Sequence, residues 1–546
     1  SCVLIETDDS LDSINATASS IVKYVSQKAG IGIGAGRIRA LGSPIRSGDA
    51  YHTGITPFLK LFQAATRSCS QGGVRNGAAT IYYPIWHLEI EDLLVLKNNK
   101  GTEDNRVRKL DYSVQLSKIF YERLLSGGNI TLFSPHDVPG LYEAFGHNEK
   151  FDELYLRYEN DRTITKKSIS ALELFTALLK ERAETGRIYI MNIDHCNSHS
   201  SFVDSVKMSN LCQEITLPTD PIQTLDDREG EIALCILSAI NVGNLRELDD
   251  LKNLCDLAVR ALDEIIDYQR YPVMAAEIST KARRSLGIGY IGLAHYLAKK
   301  NLHYRDIAAA QAVNRLTEAF QYYLVRASIQ LAKEKGRCEY FDRTKYSQGL
   351  LPVDTYKRDV DDFLGTELHY DWEALRRDIA EHGMRHSTLS AQMPSESSSV
   401  VSNETNGIEP PRAYMSTKKS KKGPLKQIVP QYGSLKNAYT FLWDTGVNEG
   451  YIRVVAAMQK YFDQAISGNW SYNPKHYENG EVPMSVMFND LLTTYKYGWK
   501  TSYYHNTYDA KGEDEDDIVA VAQTIQKTQL VQPSTTEDEA CEACTI

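Results

Sequence analysis

Over residues 1–300, short apolar runs alternate with amphipathic stretches and glycine-rich turns, and this pattern constrains the fold more than any other feature. Arg187–Ile193, RIYIMNI, is a β-type run rich in isoleucine. It follows Ala171–Thr185, where Leu172, Phe175, Leu178 and Leu179 recur at helical spacing and Gly186 supplies a stop. The alternation returns with a helix at Leu251–Tyr268 and again near Gly287–Ala298. Parallel strands need long crossovers, usually helices, so strands that alternate with helices predict an α/β fold with a mostly parallel sheet. Residues 301–380 read as largely helical and charged, and Thr417–Lys426, TKKSKKGPLK, as a lysine-rich surface loop.

Composition narrows the function. The chain has 546 residues, 42% apolar and 24% charged, enough for a sizeable core. A net charge of -10 argues against a bulk electrostatic grip on nucleic acid or an anionic membrane. No apolar run has the length of a membrane span, and SCVLIETDDS lacks the features of a secretory signal. Nine cysteines, an odd and dilute set, read as reduced cytoplasmic thiols. The tail from Asp509 to Ile546 carries ten acidic residues, two lysines and no aromatic residue, and is expected to be largely disordered. The start at Ser1 points to a processed piece, a split-gene product, an intein-splicing product or a fragment.

Several motifs carry chemistry. In Asn210-Leu211-Cys212-Gln213-Glu214, an extended strand would project an amide, a thiol and a carboxylate on one face. The alternative is a polar edge strand with an incidental cysteine. Cys235 and Cys2 each lie in apolar, strand-like segments, where a structural thiol is the default. Cys541-Glu542-Ala543-Cys544 has redox spacing without a second ligand pair for zinc, which suits a mobile dithiol. Tyr503-Tyr504 is either packing or a path for an oxidising hole. Ser395-Glu396-Ser397-Ser398 would hold a phosphate or cap a helix. Gly287–Gly292 matches G-x-G-x-x-G, but its upstream segment is polar, which argues against a dinucleotide fold. His195, Cys196 and His199 have metal-ligand spacing, with loop hydrogen bonding as the plainer reading, and Cys255 reads as core.

SCVLIE, CSQGGVRNGA, SNLCQE, GEIALC, MPSESSS, NGIEPPR and SYYHNT occur in one order along the chain, which resembles the large subunit of class I ribonucleoside-diphosphate reductases. The resemblance implies a ten-stranded α/β barrel of two antiparallel halves, each a parallel five-stranded sheet, over residues 1–508, and a redox tail over 509–546. It implies Cys212 as the thiyl radical, Cys2 and Cys235 as the reducing dithiol, Glu214 as the base and Asn210 as a substrate contact. Tyr503 and Tyr504 would relay the oxidising equivalent, and Cys541 and Cys544 would re-reduce the buried pair. Substrate phosphates would sit on Ser395–Ser398 with help from Ser1. Asp9, Arg39 and Arg46 would bind an effector nucleotide, and the loops Gly32–Arg39 and Cys69–Gly77, with Gln71 and Arg75, would set specificity. No cofactor or metal is implied on this chain; the radical would come from a metal-containing small subunit, with ATP or deoxynucleotides as effectors. The implied partners are that subunit, an upstream portion of the large subunit, thioredoxin or glutaredoxin, ribonucleoside diphosphates and a second large subunit. A non-catalytic nucleotide-binding half of a split reductase is the alternative, and a general disulfide oxidoreductase a third reading.

Overall fold

The computed structural model describes residues 2–71, 75–420 and 423–508. Ser1 and the tail with Cys541 and Cys544 lie outside the described residues, as do the side chains of Gln71 and Arg75, whose backbones pair in a short antiparallel ladder.

Eight strands build the main sheet: β1 (Cys2–Glu6), β2 (Gly30–Gly34), β3 (Ala79–Pro84), β4 (Asp111–Leu116), β5 (Ile188–Asn192), β6 (Ala233–Asn241), β7 (Leu286–Ile291) and β8 (Thr501–Ser502). Their order across the sheet is β7-β6-β1-β2-β3-β4-β5-β8. β1 to β5 run parallel to one another. β6 and β7 are also parallel. The two sets meet antiparallel where β1 pairs with β6, and β8 lies antiparallel to β5. Val3, Leu4 and Ile5 are fully buried, as expected of parallel strands covered on both faces.

Helices cover the sheet. α1 (Leu11–Ser26) connects β1 to β2 and starts at Ser10, whose hydroxyl accepts the Ser13 N–H at 3.1 Å. α2 (Thr56–Ser68) precedes β3, and α3 (Ala171–Thr185) ends at Gly186, which takes the left-handed conformation at φ 69°. α3 has the predicted bounds, but its buried stripe is Ala171, Leu174, Phe175, Leu178 and Leu179. Leu172 is 55% exposed because it sits at the margin of that stripe, in the first turn. α4 (Asp250–Tyr268) carries Cys255 into the core as expected, and α5 (Ile307–Lys335) packs against it. No helix among the described residues is long and apolar enough to cross a membrane.

Two readings need correction. Met415–Ser420 and Gly423–Ile428 pair as a β-hairpin, so the lysine-rich segment is mostly strand. His195 and Cys196 lie on a short helix, Ile193–Ser198, with His199 at its end. His195 Nδ1 bonds the Trp499 carbonyl, and His199 bonds Thr355 and the Gln459 carbonyl, so both rings serve packing.

Glycine spacing prepares the interior. β2 reads GIGIG: Ile31 and Ile33 enter the core, and the glycines leave room on the opposite face. A Cβ on Gly32 would lie 1.9 Å from the Ser209 carbonyl oxygen. On β7, a Cβ on Gly287 would lie 3.1 Å from Cys235 Sγ. The G-x-G of Gly287–Gly292 is therefore strand backbone that clears space for a neighbouring thiol. Gly32→Ala is expected to destabilise the fold by about 1–3 kcal/mol through overpacking, read by denaturant unfolding; an unchanged midpoint would contradict the close approach.

Candidate active site

Residues 208–216 form an irregular loop directed into the curve of the sheet. The extended-strand reading of Asn210–Glu214 does not hold: Gln213 adopts φ 69°, and the segment turns. Buried irregular backbone must find partners away from water. Here four consecutive carbonyls each accept a hydroxyl, two from one strand and two from segments far beyond it in the chain. Tyr82 bonds Asn210 O at 2.5 Å, Thr80 bonds Leu211 O at 2.7 Å, Ser467 bonds Cys212 O at 2.5 Å and Thr501 bonds Gln213 O at 3.1 Å. The loop also braces itself, with the Asn210 Oδ1 accepting the Ile215 N–H at 3.2 Å.

That turn brings the predicted residues together despite the wrong strand premise. Cys2 and Cys235 are directly opposed in the antiparallel β1–β6 register. Directly opposed Cβ atoms lie about 4.5–5.5 Å apart, so a small shift brings them within disulfide reach. Cys2 Sγ lies 3.5 Å from Glu214 Oε1, and the Ser467 hydroxyl oxygen lies 3.2 Å from Glu214 Oε2. The Asn210 amide is buried beside Cys2 and Glu214. Burial is the largest influence on all three thiols and raises the pKa of each; Glu214 raises each further. Burial also raises the Glu214 carboxyl, against hydrogen bonds from its neighbours. At neutral pH the thiols therefore keep their hydrogens.

A tyrosine pair reaches the same place. Tyr503 lies close enough to Cys212 for each to shift the other's proton affinity, and both line one cavity. The Tyr503 and Tyr504 hydroxyls are 2.8 Å apart, and their rings stack with centroids at 3.8 Å. Tyr503 is buried and Tyr504 half-buried, so the pair leads outward from the thiol. The Tyr189 ring lies 4.8 Å from that of Tyr503, and Arg187 donates to the Tyr504 hydroxyl at 3.1 Å.

Cys212, Tyr503, Tyr504 and Ser395–Ser398 line one cavity of about 870 Å³. Ser395 starts the short helix Glu396–Val401 without a side-chain capping bond, while Ser397 and Ser398 are exposed. Arg412 lines the same cavity and supplies a cation. Asp9 and Arg39 form an ion pair at 2.8 Å, and Arg46 is exposed on a tight turn at φ 50°; none of the three lines this cavity. Sequence reasoning missed Ser467, Thr80, Tyr82, Arg187 and Gln464, the last of which donates to Cys235 Sγ at 3.9 Å. Glu409 and Arg412 stood in the quoted NGIEPPR segment without an assigned role.

A curled α/β sheet with one thiol and a tyrosine pair on a cavity, and with the buried Glu214, Cys2 and Cys235 beside that thiol but off the cavity lining, describes an oxidoreductase built on thiol chemistry. The family described as ribonucleotide reductase, barrel domain, matches residues 1–505. The chain is 62% identical over 522 residues to the ribonucleoside-diphosphate reductase subunit alpha of Haemophilus influenzae, covering 95% of this chain and 69% of that one. It is 58% identical over 523 residues to the ribonucleoside-diphosphate reductase 1 subunit alpha of Escherichia coli, with the same coverage of 95% and 69%. The corresponding Salmonella typhimurium subunit is 56% identical over 552 residues, covering 100% of this chain and 71% of that one. The chain belongs to the ribonucleotide reductase family.

The cross-strand register makes a specific forecast. Mild oxidation is expected to link Cys2 to Cys235 and leave Cys212 free, read by non-reducing peptide mapping. A dominant link through Cys212 would contradict the register.

Proposed function

We propose that this chain reduces ribonucleoside diphosphates to 2′-deoxyribonucleoside diphosphates by radical chemistry centred on Cys212. The observation that carries the proposal is the convergence of Cys212, Glu214 and the opposed Cys2–Cys235 pair, with Tyr503 against the first thiol. A Cys212 thiyl radical takes the hydrogen atom from the 3′ carbon, and Glu214 accepts the 3′ hydroxyl proton. The 2′ carbon–oxygen bond breaks and water leaves. Cys2 and Cys235 supply two electrons and two protons as they close a disulfide. Cys212 returns its hydrogen to the 3′ carbon and regains the radical, while Glu214 returns its proton to the 3′ oxygen. The buried Asn210 amide, beside Cys2 and Glu214, holds a substrate hydroxyl. The diphosphate rests on Ser395–Ser398, which line the cavity at the start of a short helix, and Arg412 offers charge.

Tyr503 and Tyr504 carry the oxidising equivalent in from a separate small subunit, which supplies the radical through its metal. Cys541 and Cys544 reopen the Cys2–Cys235 disulfide and are themselves reduced by thioredoxin or glutaredoxin. Asp9, Arg39 and Arg46 hold a deoxynucleotide or ATP effector, with Gln71 and Arg75 in the specificity loop, across a dimer of the complete large subunit in the cytoplasm. An upstream portion of that subunit completes the assembly. Residues 1–508 form the barrel domain and 509–546 the redox tail. The ten-stranded closure is supported by parallel bridges from Ile288 to Ser390 and from Gln392 to Ile466, and by the Tyr503 N–H bond to Gly468 O at 2.7 Å. Segments around 390 and 466 would be the two further strands.

Two tests follow. Cys212→Ser is expected to abolish deoxynucleotide formation with either dithiothreitol or thioredoxin. Cys541→Ser with Cys544→Ser should abolish thioredoxin-driven turnover and spare much of the dithiothreitol-driven rate; equal loss in both assays would contradict the tail's role. Because burial raises the Glu214 carboxyl, its base form is lost as pH falls, from a pH above the ordinary carboxylate range. The acid limb of kcat should therefore lie above that range and disappear in Glu214→Gln along with most of the rate. A retained limb would assign it to another group.

A further inference from the structure

Arg182 is fully buried, yet among the described residues no carboxylate pairs with it. A buried, unpaired guanidinium costs several kcal/mol unless its donors are met. α3 places Arg182 one turn before the Gly186 stop, at the end of the buried stripe. From there the fork faces the backbone that carries the tyrosine pair. Nη1 donates to Tyr503 O at 2.6 Å, to Ile188 O at 2.7 Å and to Ser502 O at 3.4 Å; Nη2 donates to Tyr504 O at 3.3 Å. The guanidinium lies 4.4 Å from the centre of the buried Trp470 ring, and the Trp470 backbone N–H donates to Tyr504 O at 2.9 Å. Burial lowers the Arg182 pKa to about 10, which leaves a cation at neutral pH.

We infer that Arg182 is a positioning residue for radical transfer: it clamps three consecutive carbonyls, of Ser502, Tyr503 and Tyr504, so that the two rings stay stacked and Tyr503 stays against Cys212. The inference rests on the reading of Tyr503 and Tyr504 as the relay. β8 is two residues long and its pairing with β5 covers Thr501 and Ser502, so on that side the ladder stops just before the tyrosines, whose other side is held by Gly468 O and the Trp470 backbone N–H. A rigid planar fork supplies what the ladder does not. Lysine keeps the charge but presents a single nitrogen, which cannot meet acceptors spread over four residues. A hop between stacked phenols and a thiol depends steeply on geometry, and a shift of about 1 Å costs about 100-fold in other positioned reactions.

The test uses the complete large subunit, with 3-aminotyrosine in place of Tyr503, assembled with its small subunit, ribonucleoside diphosphate and effector. The trapped radical is measured by electron paramagnetic resonance. With Arg182 present, a radical should form at 503. In Arg182→Lys its amount and the kcat of the unlabelled enzyme should fall about 10–100-fold, while substrate KM and effector affinity stay within about two-fold. An unchanged radical yield in Arg182→Lys would overturn the clamp. No radical with Arg182 intact would overturn the relay reading instead. Should Arg182→Lys fail to give a cooperative thermal transition, Trp470→Leu removes the ring beneath the guanidinium and keeps the arginine. It should cut the radical yield about three-fold or more, within the range expected for losing a buried cation–π contact, and no change there would equally overturn the clamp.

Discussion

The four hydroxyl-to-carbonyl bonds that cap residues 210–213 are the constraint on which the rest of the site depends. A loop inside a sheet has no ladder of its own. Left unpaired, each buried carbonyl would cost about 1–3 kcal/mol, and the loop would be expelled. Thr80 and Tyr82 reach it from β3, Ser467 from the segment beside β8, and Thr501 from β8 itself. The loop thus reports the position of both sides of the sheet at once. Cys212 lies among the capped carbonyls, so it is held by β3 on one side and by Ser467 and Thr501, just ahead of Tyr503, on the other.

Burial then sets the chemistry. A thiol that keeps its hydrogen at neutral pH is a hydrogen-atom donor, whereas a thiolate is a nucleophile and metal ligand. Desolvation and the nearby Glu214 push all three cysteines toward the neutral form. The same desolvation raises Glu214 and makes it a better base for a hydroxyl proton. Shielding that protects a radical also bars a protein reductant, which is why a dithiol on a long polar tail suits this site.

Much of this was legible from the residues. Strand and helix alternation gave the α/β class, and α3 has the expected bounds because its apolar spacing, its Ser170 cap and Gly186 all agree. The family assignment is borne out by relatives that match 95% or more of the chain. The hydroxyls that hold the loop were not legible. Thr80, Tyr82, Ser467 and Thr501 are spread over more than four hundred positions, and each is an ordinary polar residue in its own segment. Arg182 was hidden for a similar reason, since an arginine at a helix end is normally a solvated partner of the dipole. The lysine-rich hairpin was misread because charge masked its pairing; strand formation there follows from cross-strand register, which one segment alone does not reveal.

The most direct measurement is a crystal structure of the complete large subunit with a ribonucleoside diphosphate and its effector bound. The account predicts one ribose in the Cys212 cavity, its 3′ carbon about 3–3.5 Å from Cys212 Sγ in a near-attack arrangement, its 2′ carbon toward Cys2 and Cys235, and its diphosphate on Ser395–Ser398. A nucleotide bound with its ribose out of reach of Cys212, or with the Cys2–Cys235 pair on the far side of a protein wall, would contradict it.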